Sequence, residues 1–259
     1  MRALLIPEDI VATSVRYQAS MHIGAYQLQL AIVRIESGEI AYSYEEEFSE
    51  QRGFAYDGAI QKLTQAWPNT VFHSTTVELE PTEFTLIPEN LFDKENERIY
   101  FGNSLGVDQV VLNVKQHAFV LVYAISSKLL ALKSLIPGIK FIPTPLLIAT
   151  STTTPLTNKS IASVLIRGGK HGIHLVKDGK MQLLNFFPGT SMTDTLYFLS
   201  NACIQHHITM SNLEVTFYGV VWTEDELAQL RTYIGNVHAP ETTEEALKDI
   251  WKLHMLCAS

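Results

Sequence analysis

From Tyr17 onward apolar and polar positions alternate. Two alternating stretches, 21–26 and 28–35, run into the polar turn Glu36-Ser37-Gly38-Glu39, and a third follows at 40–48. A period of two puts neighbouring side chains on opposite faces of a strand, so this pattern predicts a three-stranded meander. At 59–67 the apolar spacing becomes helical. Strand-like stretches at 71–73 and 76–79 come next, then a predicted helix over 83–92 and a helical or irregular stretch over 93–101. Strands are predicted at 110–114 and 118–124, and a helix over 127–135 that Pro137-Gly138 stops. Residues 151–158, rich in Thr and Pro, read as a linker.

After the linker the meander returns. Residues 161–167 and 172–177 are strand-like, Asp178-Gly179 is a hairpin turn, and 181–187 is a third strand. Ser191 with Asp194 opens a helix over 193–206, with Leu196, Leu199, Cys203 and Ile204 expected on its buried face. A strand at 214–218 follows. Thr223 and Glu226 form a capping-box pair for a helix to residue 233, a short strand lies near Val237, and Thr242 to Glu245 cap a last helix to about residue 256. Ile23, Leu30 and Ile32 recur as Ile166, Ile173 and Leu175, 143 positions later, while Gly38 recurs as Gly179 after 141. The repeat points to an internal duplication and to two domains, 1–156 and 157–259.

Composition and charge narrow the function classes. Of 259 residues, 46% are hydrophobic and 18% charged, enough to build a packed core and unlike a disordered chain. The net charge is −8 and no block of clustered Lys and Arg occurs. A duplex-binding surface needs such a block to displace counterions, so nucleic acid is not expected as a partner. Pro7, Glu8 and Asp9 cut the short apolar run at the N-terminus, and the charge-free stretch 141–158 holds Pro143, Pro145 and Pro155. Neither suits a signal peptide or a spanning helix, so a cytoplasmic protein without a membrane span is expected. Cys203 and Cys257 lack Cys-x-x-Cys spacing and are expected to be reduced, packed thiols.

Two halves that each open with a three-stranded meander and a helix resemble the duplicated ribonuclease-H-like lobes of the actin-like ATPase fold. The chain is most similar to an uncharacterised bacterial family assigned that fold, and more distantly to the actin relatives of pilus assembly and cell division. The resemblance implies an α/β protein of two such lobes, with nucleotide phosphates gripped by the first hairpin of each. The superfamily pattern in the first hairpin is Asp, apolar, Gly, Thr or Ser. Here it reads His22-Ile23-Gly24-Ala25, which keeps the glycine and lacks the carboxylate and the hydroxyl. Hard cations such as Mg²⁺ want oxygen ligands, for which an imidazole is a poor substitute. The second-half stretch Leu165-Ile166-Arg167-Gly168-Gly169-Lys170 keeps the glycine pair and has Leu165 in place of the Asp, with Arg167 and Lys170 as candidate phosphate-neutralising charges. In Phe217-Tyr218-Gly219-Val220 one of two adenine-side glycines remains, and Val220 stands where the second leaves room for the base. Carried over residue by residue, the nucleotide site reduces to Gly24, Gly168, Gly169, Lys170 and Gly219. For each glycine a turn or close strand crossing is the competing explanation.

Other constellations name no reaction. His171 and His174 are three apart on one strand and so face opposite sides, His206 and His207 are adjacent, and neither pair chelates a metal. No Gly-x-Ser-x-Gly occurs, and Gly169-Lys170 is followed by His171 where a phosphate loop needs Ser or Thr. Glu45, Glu46 and Glu47 read as a solvated run. Tyr42, Tyr44 and Phe48 share a face expected to pack on helix 59–67. The helix start near Ser191 has amides suited to an anion, with Ser191 itself the competing acceptor. The expectation is a non-catalytic, degenerate ATPase with no catalytic residue, metal or cofactor, acting through another protein or through self-association. The alternative is a nucleotide-binding ATPase or kinase-like enzyme using ATP and Mg²⁺, with acids drawn from Asp57, Asp108 or Asp194.

Overall fold

The alternating stretches at the start of the chain become strands in a computed structural model that describes residues 4–48, 56–68, 71–116, 119–151 and 159–258. A short helix α1 (Glu8–Ala12) precedes β1 (Tyr17–Ile23), β2 (Gln27–Arg34) and β3 (Ile40–Glu47), followed by α2 (Asp57–Ala66) and β4 (Ser74–Leu79). The helix expected over 83–92 is instead strand β5 (Glu83–Pro88) and a 3-10 turn, Glu89–Leu91. Phe84, Thr85, Leu86 and Ile87 pair with a strand more than thirty residues away, and this tertiary pairing overrides the local spacing. After a kinked 3-10 stretch, Lys94–Phe101, come β6 (Gln109–Lys115), β7 (Phe119–Ser126), a 3-10 turn, α3 (Leu132–Leu135) and β8 (Ile139–Pro143). The chain divides by its contacts into Met1–Thr144 and Pro145–Cys257. The expected boundary at 156/157 and linker residues 152–158 lie outside the described residues.

In the first unit the main sheet has the order β3-β2-β1-β4-β8, and β5-β7-β6 form a separate three-stranded sheet. Strand β1 is antiparallel to β2 and parallel to β4. Alternation sorts this sheet into two unlike faces. Met21, Ile23, Leu28, Leu30, Val77 and Leu79 share one face and are buried. Helix α2 lies on that side, since Lys62 reaches Glu46 at 2.8 Å and sits over the Tyr44 ring. The expected packing of the aromatic face of β3 on this helix is therefore seen at Tyr44, and Phe48 lies against Gly58. The acidic run is not one solvated face, because Glu46 is largely buried in its ion pair while Glu45 accepts the amides of Gln27 and Gln29. The opposite sheet face is polar yet buried, with Gln18, Ser20 and His22 beside half-buried Ser74 and buried Thr76 and Glu78.

The second unit contains α4 (Thr144–Thr150), β9 (Ser160–Arg167), β10 (Lys170–Lys177), β11 (Lys180–Pro188), α5 (Met192–Gln205), β12 (Leu213–Tyr218), α6 (Glu224–Tyr233), β13 (Asn236–His238) and α7 (Thr243–Ala258). Thr144 itself falls in the first unit. Its sheet order β11-β10-β9-β12-β13 repeats that of the first unit, with the same pattern of parallel and antiparallel pairs. Even the register slips recur, between Ile32 and Val33 in one sheet and between Leu175 and Val176 in the other. Those positions are 143 apart, so the repeat spacing in the sequence reaches down to a single β-bulge. Val164, Ile173, Leu175, Val215 and Phe217 form the core with Leu199, Cys203 and Leu230.

Local caps behave as the sequence indicates. Ser191 Oγ accepts the Asp194 amide and the Asp194 carboxylate accepts the Ser191 amide, while Thr223 and Glu226 do the same for α6. Replacing Ser191 by Ala is expected to lower stability by about 1 kcal/mol, read as a shift in the denaturant midpoint at constant slope. Ile204, expected on the buried side of α5, is 69% exposed. The buried positions are Met192, Thr195, Leu199, Ala202 and Cys203, and Ile204 lies about 100° round the helix from Cys203. Burial pushes the Cys203 thiol up to about 11, and neither Cys203 nor Cys257 is in a disulfide. Among the described residues no helix is long and apolar enough to cross a membrane.

Candidate functional site

Each expected site residue stands at or beside a strand end, and its neighbours decide what it can do. In the first unit Gly24 follows β1 directly, and its amide donates to Gln27 O at 3.0 Å. A Cβ built there meets His22 Nε2 at 3.4 Å and Gln27 Cβ at 3.6 Å, which is ordinary contact, so the fold of this hairpin does not demand glycine. His22 is 3% exposed, and its Nδ1 lies 3.3 Å from Oε2 of Glu78, which is wholly buried. The two are direct partners in the parallel pairing of β1 with β4. One step further toward β3, His22 pairs with Gln29, and Gln29 pairs with Glu45, so a polar row crosses four strands. Its inner end is a close imidazole–carboxyl contact, without hydrogen-bond geometry at Nδ1, and Nε2 of the ring lies on the side of the Gly24 turn.

Glu78 did not stand out in the sequence. It sits in a predicted strand with Thr76, Val77 and Leu79, and a lone carboxylate in such company is the available signal. Its pairing with His22 depends on a parallel contact across more than fifty residues, which no local pattern encodes.

In the second unit Gly168 and Gly169 are the two central residues of the β9–β10 turn, with φ of 56° and 71°. Two successive positive φ values make a type I′ turn, the hairpin connection that matches strand twist, and this accounts for both glycines. Lys170 opens β10 and is exposed, whereas Leu165 is buried. Gly219 has φ 78°, and a Cβ there would lie 2.6 Å from Ile166 O. It is therefore required both by its backbone and by its approach to β9. Val220 packs against the core of this unit.

Of the alternative acids, the carboxylates of Asp57 and Asp194 are committed elsewhere. Asp57 Oδ1 takes Lys128 Nζ at 2.7 Å. Asp108 lies in the turn before β6, where its backbone oxygen accepts the Ser127 amide. Asp194 accepts the Ser191 hydroxyl, the Ser191 amide and the Thr190 amide, and these bonds hold its carboxyl below the usual range. That carboxylate occupies the start of α5, where an anion would otherwise bind. His171 and His174 do face opposite sides of β10: His171 Nδ1 is 2.7 Å from Thr195 Oγ1, while His174 bonds the Ile148 backbone. Burial lowers both, opposed at His171 by the Gly189 backbone and Asp194, and His174 falls to about 4. Among the described residues no group of three or more His, Cys, Asp or Glu is placed to hold a metal ion.

Residues 8–237 match a family described as a protein of unknown function, DUF3822. The chain belongs to that family. No curated protein matches it. Among solved structures, this family member is similar to a Bacteroides thetaiotaomicron protein with an actin-like ATPase fold and unknown function. Their TM-score is 0.72 at 18% identity, covering 93% of this chain and 98% of that one. It is also similar to the PilM-PilN type IV pilus biogenesis complex, with TM-score 0.53, 10% identity and coverage of 93% and 98%. For the cytoplasmic domain of EpsL, an inner membrane component of the type II secretion system of Vibrio cholerae, the TM-score is 0.50 at 12% identity, with coverage of 92% and 95%. The actin-like ATPase fold expected from the repeated meanders is the fold of this protein.

Proposed function

We propose that this protein is a degenerate member of the actin-like ATPase fold, cytoplasmic and non-catalytic, that works by binding protein. The observation that carries the reading is His22. It stands where the resemblance expects a metal-holding carboxylate, and its ring is engaged by Glu78 inside the sheet. The other supports are of the same kind: Asp57 and Asp194 have partners, Leu165 is buried, and the glycines of the second unit answer to backbone geometry. A protein partner accords with the pilus and secretion proteins that share the fold, one of them solved in a complex named PilM-PilN.

A second reading, a nucleotide-binding ATPase or kinase-like enzyme, is favoured by two features of one hairpin. Gly24 is not needed for folding, and Glu78 supplies a carboxylate beside it from β4. A ligand that binds only the folded state must raise the unfolding midpoint. We therefore expect no saturable rise with millimolar ATP or ADP, with or without Mg²⁺. A saturable rise that is lost in Lys170→Ala or His22→Gln, with the unliganded variants melting cooperatively, establishes the second reading in place of the first.

A further inference from the structure

We infer that the open edge of β6 is a peptide-binding site, and that its occupant is an extended, apolar segment of a partner protein, added to the sheet as a fourth strand. The inference rests on the protein-binding reading and names the chemistry of the partner. In the order β5-β7-β6, strand β6 has β7 on one side only. Ser127 N donates to Asp108 O at 2.7 Å and Gln116 N to Phe119 O at 2.8 Å, so the even positions of β6 exchange their bonds with β7. Successive residues of an antiparallel ladder turn their backbone groups to opposite sides, so the N–H and C=O of Val111 and Asn113 point away from β7. Arg98 Nη1 bears this out by reaching Gln109 O, on the same outer side, at 3.3 Å. Among the described residues the backbone groups of Val111 and Asn113 have no partner. Beside the edge lies an open groove of about 550 Å³, lined by the 3-10 residues 94–99 and by Gln109, Val110 and Val111.

Open edges invite pairing, and proteins blunt them with charges, proline, bulges or brevity. The three sheets have six edge strands among the described residues, and five are blunted in this way. Strand β3 carries Glu45, Glu46 and Glu47, β5 has Glu83 and Pro88, β8 has Lys140 and Pro143, β11 has Lys180 and Pro188, and β13 is three residues long. Strand β6 has seven residues in unbroken register, without proline or glycine, and its one charge, Lys115, stands at the last position and is paired with Glu89. An edge left open where the others are closed is what strand addition requires. The groove selects a lone strand over a second copy. The Asn113 side chain donates to Glu97 at 2.6 Å, which places the 3-10 stretch on one face of the sheet. Two β6 edges pair about a two-fold axis normal to the sheet, which brings both 3-10 stretches to the same face, each standing in the groove of the other. A peptide brings no such wall. Its side chains meet Val110, Val111 and Ile99, the last 66% exposed, so apolar residues suit it. Lys94 and Arg98 stand beside Glu95 and Glu97, so the wall selects no net charge.

The test titrates the full chain into a labelled peptide of alternating Val and Thr, about ten residues long with Lys at both ends, read by fluorescence anisotropy. Saturable binding is expected, with Kd on the order of 100 µM for one short strand. Methylating the backbone nitrogens of the peptide leaves it without donors and should weaken binding at least tenfold. Val111→Pro removes a donor that faces outward, a change an edge strand tolerates, and should have the same effect while the melting curve stays cooperative. Amide exchange followed by NMR reads the residues themselves. In the free protein the Val111 and Asn113 amides should exchange quickly and those of Leu112 and Val114 slowly, and the peptide should slow the first pair. No saturable binding up to about 1 mM overturns the inference, as does binding that survives both the methylated peptide and Val111→Pro. Protection of Val111 and Asn113 that grows with protein concentration and no peptide also overturns it, since the edge then pairs with another copy. The nucleotide experiment is independent: a thermal shift with ATP removes the non-catalytic reading and leaves peptide binding standing, and absent peptide binding without a thermal shift does the reverse.

Discussion

His22→Leu alone is expected to lower stability by roughly 3 kcal/mol, and His22→Leu with Glu78→Met to restore most of that loss. The single change takes the imidazole from a carboxyl group that is wholly buried, and a buried polar group that loses a partner costs more than the pair contributes. The double change removes the carboxyl group together with its partner and keeps the volume similar, which cores tolerate within about 1.5 kcal/mol. The second unit shows that this sheet position can be apolar. There Leu165 faces Tyr218 in the same parallel pairing, one row beyond Ser163 and Thr216, which stand as Ser20 and Thr76 do in the first unit. The fold thus repeats the hydroxyl row in both units and the imidazole–carboxyl row in only one. Equilibrium unfolding in urea at constant slope measures both variants. A loss below about 1 kcal/mol for the single variant, or no recovery in the double, rejects the pair as a coupled unit.

What could be read in advance divides along local and non-local lines. The meanders, the Asp178-Gly179 turn and the capping pairs Ser191/Asp194 and Thr223/Glu226 depend on residues within a few positions of one another, and each forms where its pattern stands. Strand β5 was hidden because Glu83 to Pro88 has no local pattern that separates a strand from a helix, and its partner β7 arrives only after the intervening 3-10 stretch and β6. The end of strand β8 and helix α4 sit in a charge-free stretch whose prolines identify what it is not; parallel pairing with β4 decides what β8 is. The candidate site follows the same division. Type I′ geometry at Gly168-Gly169 is local and was legible as a turn. The His22–Glu78 pair joins strands separated by an entire helix, so the sequence showed a missing carboxylate at His22 while the structure places another beside it. Asp194 illustrates the opposite case, since the capping pattern that marked the helix start already specified how its carboxylate would be used.

Acidification should destabilise the protein, and His174→Leu should flatten that dependence. Burial holds the folded-state pKa of His174 at about 4, against an ordinary value of 6.5, with its bond to the Ile148 backbone opposing the shift. Because the folded value is depressed, the unfolded chain takes up the proton first as pH falls. The stability tied to the neutral ring is therefore fully present above about pH 6.5 and is lost through the window down to pH 4, by roughly 3 kcal/mol. His171 is shifted in the same direction and adds to the slope, while Asp194 and Glu226, held low by their caps, contribute at more acidic pH. Comparing the variant with the parent separates His174 from these. Leucine removes a donor from Ile148 O, but that oxygen also accepts the amide and the hydroxyl of Ser151, so no carbonyl is left without a bond. Urea unfolding at pH 7 and pH 4 should show a drop for the parent that exceeds the variant's by roughly 3 kcal/mol. Equal drops would mean that the ring titrates in the folded protein as it does in the unfolded chain, and the packing of β10 around it would then have to admit water.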